Sequence, residues 1–394
     1  MRQSKLPVEF YQLGIVYFLL QAQFWFPIWV IFLLDRGLTL MTIVIADIIF
    51  RAAVIFFEVP CGVIGDRIGR KASYFLSAVL GTITFFVMTL IESFFLLIIT
   101  WLIWAFFLAM LSGTDTAYLY ELTLNTHLEQ DATHIFGLFG AITSASLLCT
   151  HIVAGFLYDI HSNLPIIFNG FFTLVAALVI LTLPNPQTAV SRPTLRKIVS
   201  ETADICKTNR IVRNVILLMA LFLMAHWTLT LLFQPYFKEV GIEVAAFGVV
   251  FVLYTGIGII GSLLSGPISR IMGERSTIMS SFLVLMLAVG FAGYIAGIWG
   301  VLGIIMLNFA FHIADPILKT QLNREVANHS RASLLSFANM IGSLLLMGSR
   351  PLVGYIAELV NYQFAFQVWF GICVILCFII IIIASKLHQA SLRS

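Results

Sequence analysis

The stretch Gly62-Val63-Ile64-Gly65-Asp66-Arg67-Ile68-Gly69-Arg70-Lys71, entered through Glu58-Val59-Pro60, is a short polar interruption between two apolar runs. Gly62 and Gly65 remove side chains where a neighbouring helix would approach closely. Asp66 is an acceptor placed to receive the free amides of a helix amino terminus. Arg67, Arg70 and Lys71 gather positive charge on one turn, which marks a loop on the cytoplasmic face of a membrane.

The rest of the chain extends that pattern. Of its 394 residues 60% are hydrophobic and 10% charged, with a mean hydropathy of +1.01. Soluble domains carry about 25% charge, so a water-facing surface of ordinary size is excluded. A spanning helix needs about 20 apolar residues, and the apolar runs predict an all-α integral membrane protein of 12 transmembrane helices. The runs cover 10–34, 42–64, 72–90, 94–120, 135–158, 164–183, 211–234, 244–267, 276–297, 300–319, 332–357 and 363–385. The first is too long for the core of a signal peptide and reads as a retained span. The net charge of +3 reports loop placement, not a nucleic-acid surface. The five cysteines form no C-x-x-C pair and no zinc-type cluster with histidine, so neither a metal nor a cofactor is expected.

Of the 22 Lys and Arg, Arg36 and Lys238 fall on the side opposite the amino terminus, Arg51 and Arg350 lie inside spans, and the remaining 18 share the amino-terminal side. The positive-inside rule then puts both termini in the cytoplasm. Residues 184–210, with Pro184, Pro186 and Pro193 leading into basic residues, form a cytoplasmic linker between the six-span bundles 1–183 and 211–394. The bundles echo each other. Gly62 and Gly69 match Gly266 and Gly273 at an offset of 204, Asp115 matches Asp315 at 200, and Asn125 matches Asn323 at 198. Gly155 and Asp159 match Gly354 and Glu358 at 199.

The opening stretch resembles the signature loop of the major facilitator superfamily, Gly-x-x-x-Asp-Arg-x-Gly-Arg-Lys, at all its defining positions. The resemblance implies two pseudo-symmetric six-helix bundles working by alternating access around a central site. It also implies that Asp66 meets the start of span eleven near Ala332, and that Arg70 pairs with Glu121 at the end of span four. These contacts would bias the inward-closed and inward-open states. The second half holds a decayed copy, Gly266 to Arg275, with Arg270 where the aspartate would stand. Drug/proton antiporters of the family carry Gly-Pro followed by glycine on span five, where this chain reads Thr150-His151-Ile152-Val153-Ala154-Gly155; span eleven has Arg350-Pro351 instead.

A charge at a helix centre costs about 3 kcal/mol on insertion scales, so Asp47, Arg51, Glu58, Asp115, Asp315 and Arg350 must pair, neutralise or line water. Asp47, Arg51 and Glu58 share one helical face. Asp47 and Arg51 form an intrahelical bridge, or, in the family's arrangement, Asp47 meets Arg350 as an outer gate. Span ten carries Asn308, His312, Asp315 and Lys319 on one face, and span four carries Trp104, Leu111, Asp115 and Tyr118. The resemblance makes spans one, four, seven and ten the cavity walls, so Asp115 and Asp315 either look into it or cap neighbouring helices. Span one adds Gln21, Trp25 and Trp29 at i+4 steps, with Pro27 able to bend it. Span seven adds His226 and Thr230; His226, His312 and His151 are either hydrogen-bonded packing residues or groups that titrate near physiological pH.

Embedded acids outnumber embedded cations, and aromatics are plentiful, which suits neutral or cationic amphipathic cargo. Gly256-Ile257-Gly258-Ile259-Ile260-Gly261 fits a dinucleotide pattern, but its flanks are apolar and no strand precedes it, so close helix packing is expected. The absence of a P-loop argues against ATP. Asn328-His329-Ser330 fits a glycosylation acceptor on the wrong side of the membrane. The reading is a secondary transporter and not an enzyme: a monomer in a bacterial inner (plasma) membrane, exporting small amphipathic compounds against protons. Proton-coupled uptake of a metabolite and a non-transporting sensor are the alternatives.

Overall fold

The computed structural model describes the backbone of residues 6–185, 205–295, 297–326 and 331–391, and side chains there apart from Val59, Asp66, Ala332 and residues 384–391. Linker residues 186–204, the Asp66 carboxylate, the Ala332 contact and Asn328 therefore lie outside the described residues.

The described chain is helical from end to end: α1 Val8–Leu20, α2 Trp29–Leu34, α3 Leu40–Ile68, α4 Arg70–Met88, α5 Phe94–Leu111, α6 Thr114–Asn125, α7 Ala132–Ile160, α8 Leu164–Thr182, α9 Arg210–Trp227, α10 Thr230–Glu239, α11 Val244–Met272, α12 Glu274–Tyr294, α13 Gly300–Arg324, α14 Arg331–Leu359 and α15 Tyr362–Ser391. Among the described residues, eleven stretches are long and apolar enough to cross a membrane, and the shorter apolar α1 precedes them. Without water in the hydrocarbon region, helices are the way for such runs to bond their own backbones. Their ends follow local chemistry. The Ser93 hydroxyl accepts from Leu96 N at the start of α5, and Asn209 accepts from Ile211 N and Val212 N at the start of α9. Gly69 and Gly273, at matching places in the two halves, carry φ of 84° and 80° between α3 and α4 and between α11 and α12. That backbone disfavours any residue with a Cβ.

The chain divides into two compact units, Met1–Leu38 with Ala46–Thr194, and Thr39–Ile45 with Leu195–Ser394. In the first, α4 packs on α5 and α8, and α1 on α7 and α8, around Leu13, Tyr17, Tyr74, Tyr118, Phe139 and Ile180. Its Asp35–Leu38 segment is tied back by Tyr158, whose hydroxyl donates to Asp35 Oδ2 at 2.8 Å. Arg36 there lies over the Phe32 ring at 3.6 Å. Burial pulls the Arg36 pKa down, against the raising effect of nearby Tyr158, Glu92 and Asp35.

In the second unit, α13 lies between α11 and α12, and α9 packs on α14. Small residues set these distances. A Cβ on Gly303 would stand 2.5 Å from Ala288 O, and one on Gly261 would stand 2.7 Å from Phe309 O. The Gly256–Gly261 pattern is thus in part a packing surface, as dispersion between close helices requires in lipid. The first turn of α3 belongs to this unit, where Met41 N donates to Glu358 Oε1 at 2.7 Å.

Three expected spans are not single helices. Run 10–34 breaks over Gln21–Ile28, run 94–120 at Ser112–Gly113, and run 211–234 at Thr228–Leu229. Pro27 lacks an amide to continue the ladder, and Gly113 takes φ 64°. Gln21, Trp25 and Trp29 therefore do not repeat at helical steps: Gln21 closes α1 and Trp25 lies in the irregular stretch.

Candidate functional site

The signature loop fastens the start of α4 to two other helix ends. Arg70 Nε donates to Glu121 Oε1 on α6 at 3.3 Å, both side chains being largely buried. Lys71 Nζ donates to Leu181 O, an exposed carbonyl in the last turn of α8, at 2.8 Å. Ser73 Oγ donates to Gly69 O at 2.9 Å. Arg67 is exposed. Gly65 faces Ser73, whose Oγ would lie 3.2 Å from an added Cβ, while a Cβ at Gly62 meets no described atom within 4 Å. The close helix approach expected at Gly62 is thus absent among the described residues.

The break in the first span is stabilised by two neighbouring helices. Gln23 N donates to Thr150 Oγ1 on α7 at 3.1 Å. Trp25 N donates to Asn169 Oδ1 on α8 at 3.3 Å, and Asn169 Nδ2 returns a bond to Ala22 O at 2.8 Å. Side-chain groups thus replace the helical bonds lost over Gln21–Ile28, as burial demands.

Around this stretch stands an aromatic wall. Trp25 meets Trp104 edge-on with centroids 4.3 Å apart, and Trp101 lies 5.3 Å from Trp104 and 5.9 Å from Trp29. Phe50 and Phe85 close on Trp104 at 6.2 and 5.5 Å. His151 stacks on Phe26 at 5.8 Å. Trp104 is 7% exposed, and its Nε1 donor has no partner among the described residues.

The second unit builds a polar knot beside its own break. His226 on α9 is fully buried. Its Nε2 lies 3.1 Å from Asn308 Oδ1 and 2.9 Å from the Tyr254 hydroxyl. Asn308 Nδ2 donates to Tyr254 O at 2.7 Å. Phe311 stacks on His226 at 4.4 Å. Across the break, Arg350 Nη2 donates to Trp227 O and to Thr230 Oγ1, each at 2.9 Å. The guanidinium therefore sits at the carbonyl end of α9, where a helix favours a cation.

The sequence model of the Major Facilitator Superfamily matches residues 13–349 of this chain. The chain belongs to that superfamily. Its members here include an uncharacterized MFS-type transporter, YxaM, of Bacillus subtilis (strain 168), 21% identical over 245 residues. That match spans 58% of this chain and 58% of YxaM. The class H tetracycline resistance protein of Pasteurella multocida is 20% identical over 354 residues, 85% of this chain and 84% of that protein. Among solved structures, the nucleoside transporter NupG superposes with a TM-score of 0.80 at 17% identity, covering 95% of this chain and 98% of its own. A D-xylose-proton symporter superposes with 0.70 at 12% identity, covering 95% and 96%. These likenesses establish the fold, and the superfamily makes the chain a secondary transporter and not an enzyme.

Within this superfamily frame, each embedded charge has local company. Arg51 Nε donates to Asp47 Oδ2 at 2.8 Å, the i,i+4 bridge on α3. Lys319 Nζ donates to Asp315 Oδ2 at 2.7 Å on α13. Asp115 Oδ1 accepts from Thr116 N at 2.7 Å in the first turn of α6, and Glu58 is half-buried on α3. His312 Nδ1 lies 3.4 Å from Ser262 Oγ. Thr150 stands in the span-five stretch that departs from the antiporter pattern, but the bonds made by Asn169 and Tyr254 were not foreseen. The available signal was a lone asparagine or tyrosine inside an apolar run, which a hydropathy window averages away.

Proposed function

We propose that this transporter exports small, neutral amphipathic compounds in exchange for protons, by alternating access, with both termini in the cytoplasm. The observation that carries this reading is the unwound Gln21–Ile28 stretch set against Trp25, Trp29, Trp101 and Trp104. Flat apolar faces beside a buried indole donor suit a ring-bearing solute with few charges. The composition favoured neutral or cationic cargo; bridging of Asp47 by Arg51 and of Asp315 by Lys319 moves the balance toward neutral cargo. Likeness to a tetracycline resistance protein fits removal of a compound better than its uptake. Asp115 and Asp315 are the carboxylates we assign to proton exchange.

Uptake by proton symport is the second reading, favoured by the hydrogen-bonding His226, Tyr254 and Asn308 group, which suits a hydroxyl-bearing metabolite. Flux of labelled aromatic solutes in proteoliposomes, with the pH gradient imposed in each direction, separates the two. Export predicts solute movement opposite to protons; co-directional movement favours uptake. Binding without flux under either gradient would replace both with a sensor. Full gradient dependence retained in both Asp115→Asn and Asp315→Asn would remove these residues from coupling.

A further inference from the structure

The knot around His226 fixes its tautomer. Asn308 Nδ2 donates to Tyr254 O at 2.7 Å; flipping the amide would press two carbonyl oxygens together, so its orientation is decided by chemistry. Asn308 Oδ1 is then the atom facing His226 Nε2 at 3.1 Å. It is an acceptor, so Nε2 must carry the hydrogen. The Tyr254 oxygen, at 2.9 Å, shares it. A doubly protonated ring would bury a charge in a site where the residue is 0% exposed, which costs more than a neutral ring. Nδ1 is therefore a bare lone pair. It is buried and has no hydrogen-bond partner among the described residues.

A buried acceptor without a donor is costly to keep, and this one sits beside a helix break. Helix α9 ends at Trp227, the next residue, and the chain resumes as α10 at Thr230. Phe311 and Trp227, the rings against His226, are half-buried.

We propose that His226 Nδ1 is the acceptor for a neutral solute's O–H or N–H group carried on a flat ring, with Phe311 and Trp227 lining the ring. This makes His226 a specificity-determining residue and names a feature of the cargo, a hydrogen-bond donor; it rests on the transporter reading above.

The test needs no knowledge of the native solute. Protein labelled with 15N-histidine in nanodiscs should show one imidazole with a protonated Nε2 and a bare Nδ1, and His226→Gln, whose amide nitrogen still reaches Asn308, should lose that pair of resonances. Phenol should move the Nδ1 resonance and anisole should not. By equilibrium dialysis phenol should bind about tenfold more tightly than anisole. That preference should vanish in His226→Gln and persist in Tyr254→Phe. An Nδ1-protonated ring in the wild-type spectrum, equal binding of the two probes, or no binding of either overturns the assignment. A phenol-specific shift with no solute flux in proteoliposomes would uphold the acceptor and overturn the transport reading alone.

Discussion

Replacing Asn169 by alanine removes both bonds this side chain makes to the unwound first span. Trp25 N loses its acceptor and Ala22 O loses its donor. Asn169 is 1% exposed, so water does not reach its place freely. Each orphaned group costs about 1–3 kcal/mol, which gives about 2–6 kcal/mol for the variant. Thr150→Val orphans Gln23 N alone and should cost about 1–3 kcal/mol. Hydrogen–deuterium exchange on the peptide covering residues 21–28, in detergent or nanodiscs, reads the local opening directly. The lower bound for Asn169→Ala corresponds to roughly thirtyfold faster exchange, with a smaller effect for Thr150→Val and a lowered melting temperature in both. Exchange within about threefold of wild type in Asn169→Ala, with an unchanged melt, would show that the irregular stretch holds itself and that the α8 contact is incidental.

Arg70→Ala should destabilise by about 3–5 kcal/mol because it leaves Glu121, 1% exposed, without the Arg70 cation; the reversed pair Arg70→Glu with Glu121→Arg should recover much of the loss in thermal melts. Breaking Glu274–Arg324, whose side chains are 33% and 62% exposed, should cost less than about 1 kcal/mol in the same assay. Gly258→Ala would place a Cβ 2.5 Å from Asn308 Nδ2 and 2.8 Å from His312 Cδ2. It should cost about 1–3 kcal/mol by overpacking and shift the His226 imidazole resonances.

Hydropathy made the helical class and the twelve apolar runs legible, because lipid leaves a spanning chain little choice but helix. The loop at Gly62–Lys71 made the superfamily legible, and the Arg70–Glu121 distance of 3.3 Å agrees with the pairing that the loop implied. What stayed hidden were the breaks at Gln21–Ile28, Ser112–Gly113 and Thr228–Leu229. The first and third are held by partners far along the chain: Asn169 lies 147 residues from Ala22, and Arg350 lies 123 from Trp227. No local window contains both ends of such a bond. The i+4 placement of Gln21, Trp25 and Trp29 failed where Pro27 and these distant bonds interrupt the helix, although Trp25 and Trp29 still meet at 6.2 Å.

The Arg70–Glu121 bond has a counterpart in the second unit with its polarity inverted. Glu274 opens α12 as Arg70 opens α4, at the same offset of 204 as the loop glycines, and its partner Arg324 closes α13 as Glu121 stands on α6. A residue-by-residue comparison of the halves sets Arg70 against Glu274 as a mismatch, base against acid, and does not bring Arg324 opposite Glu121, although a tie between the corresponding helices is present twice. What the two halves share here is a relation between two sites and not the letters that express it. Comparisons of internal repeats in such chains gain from aligning bonded pairs, with sign left free.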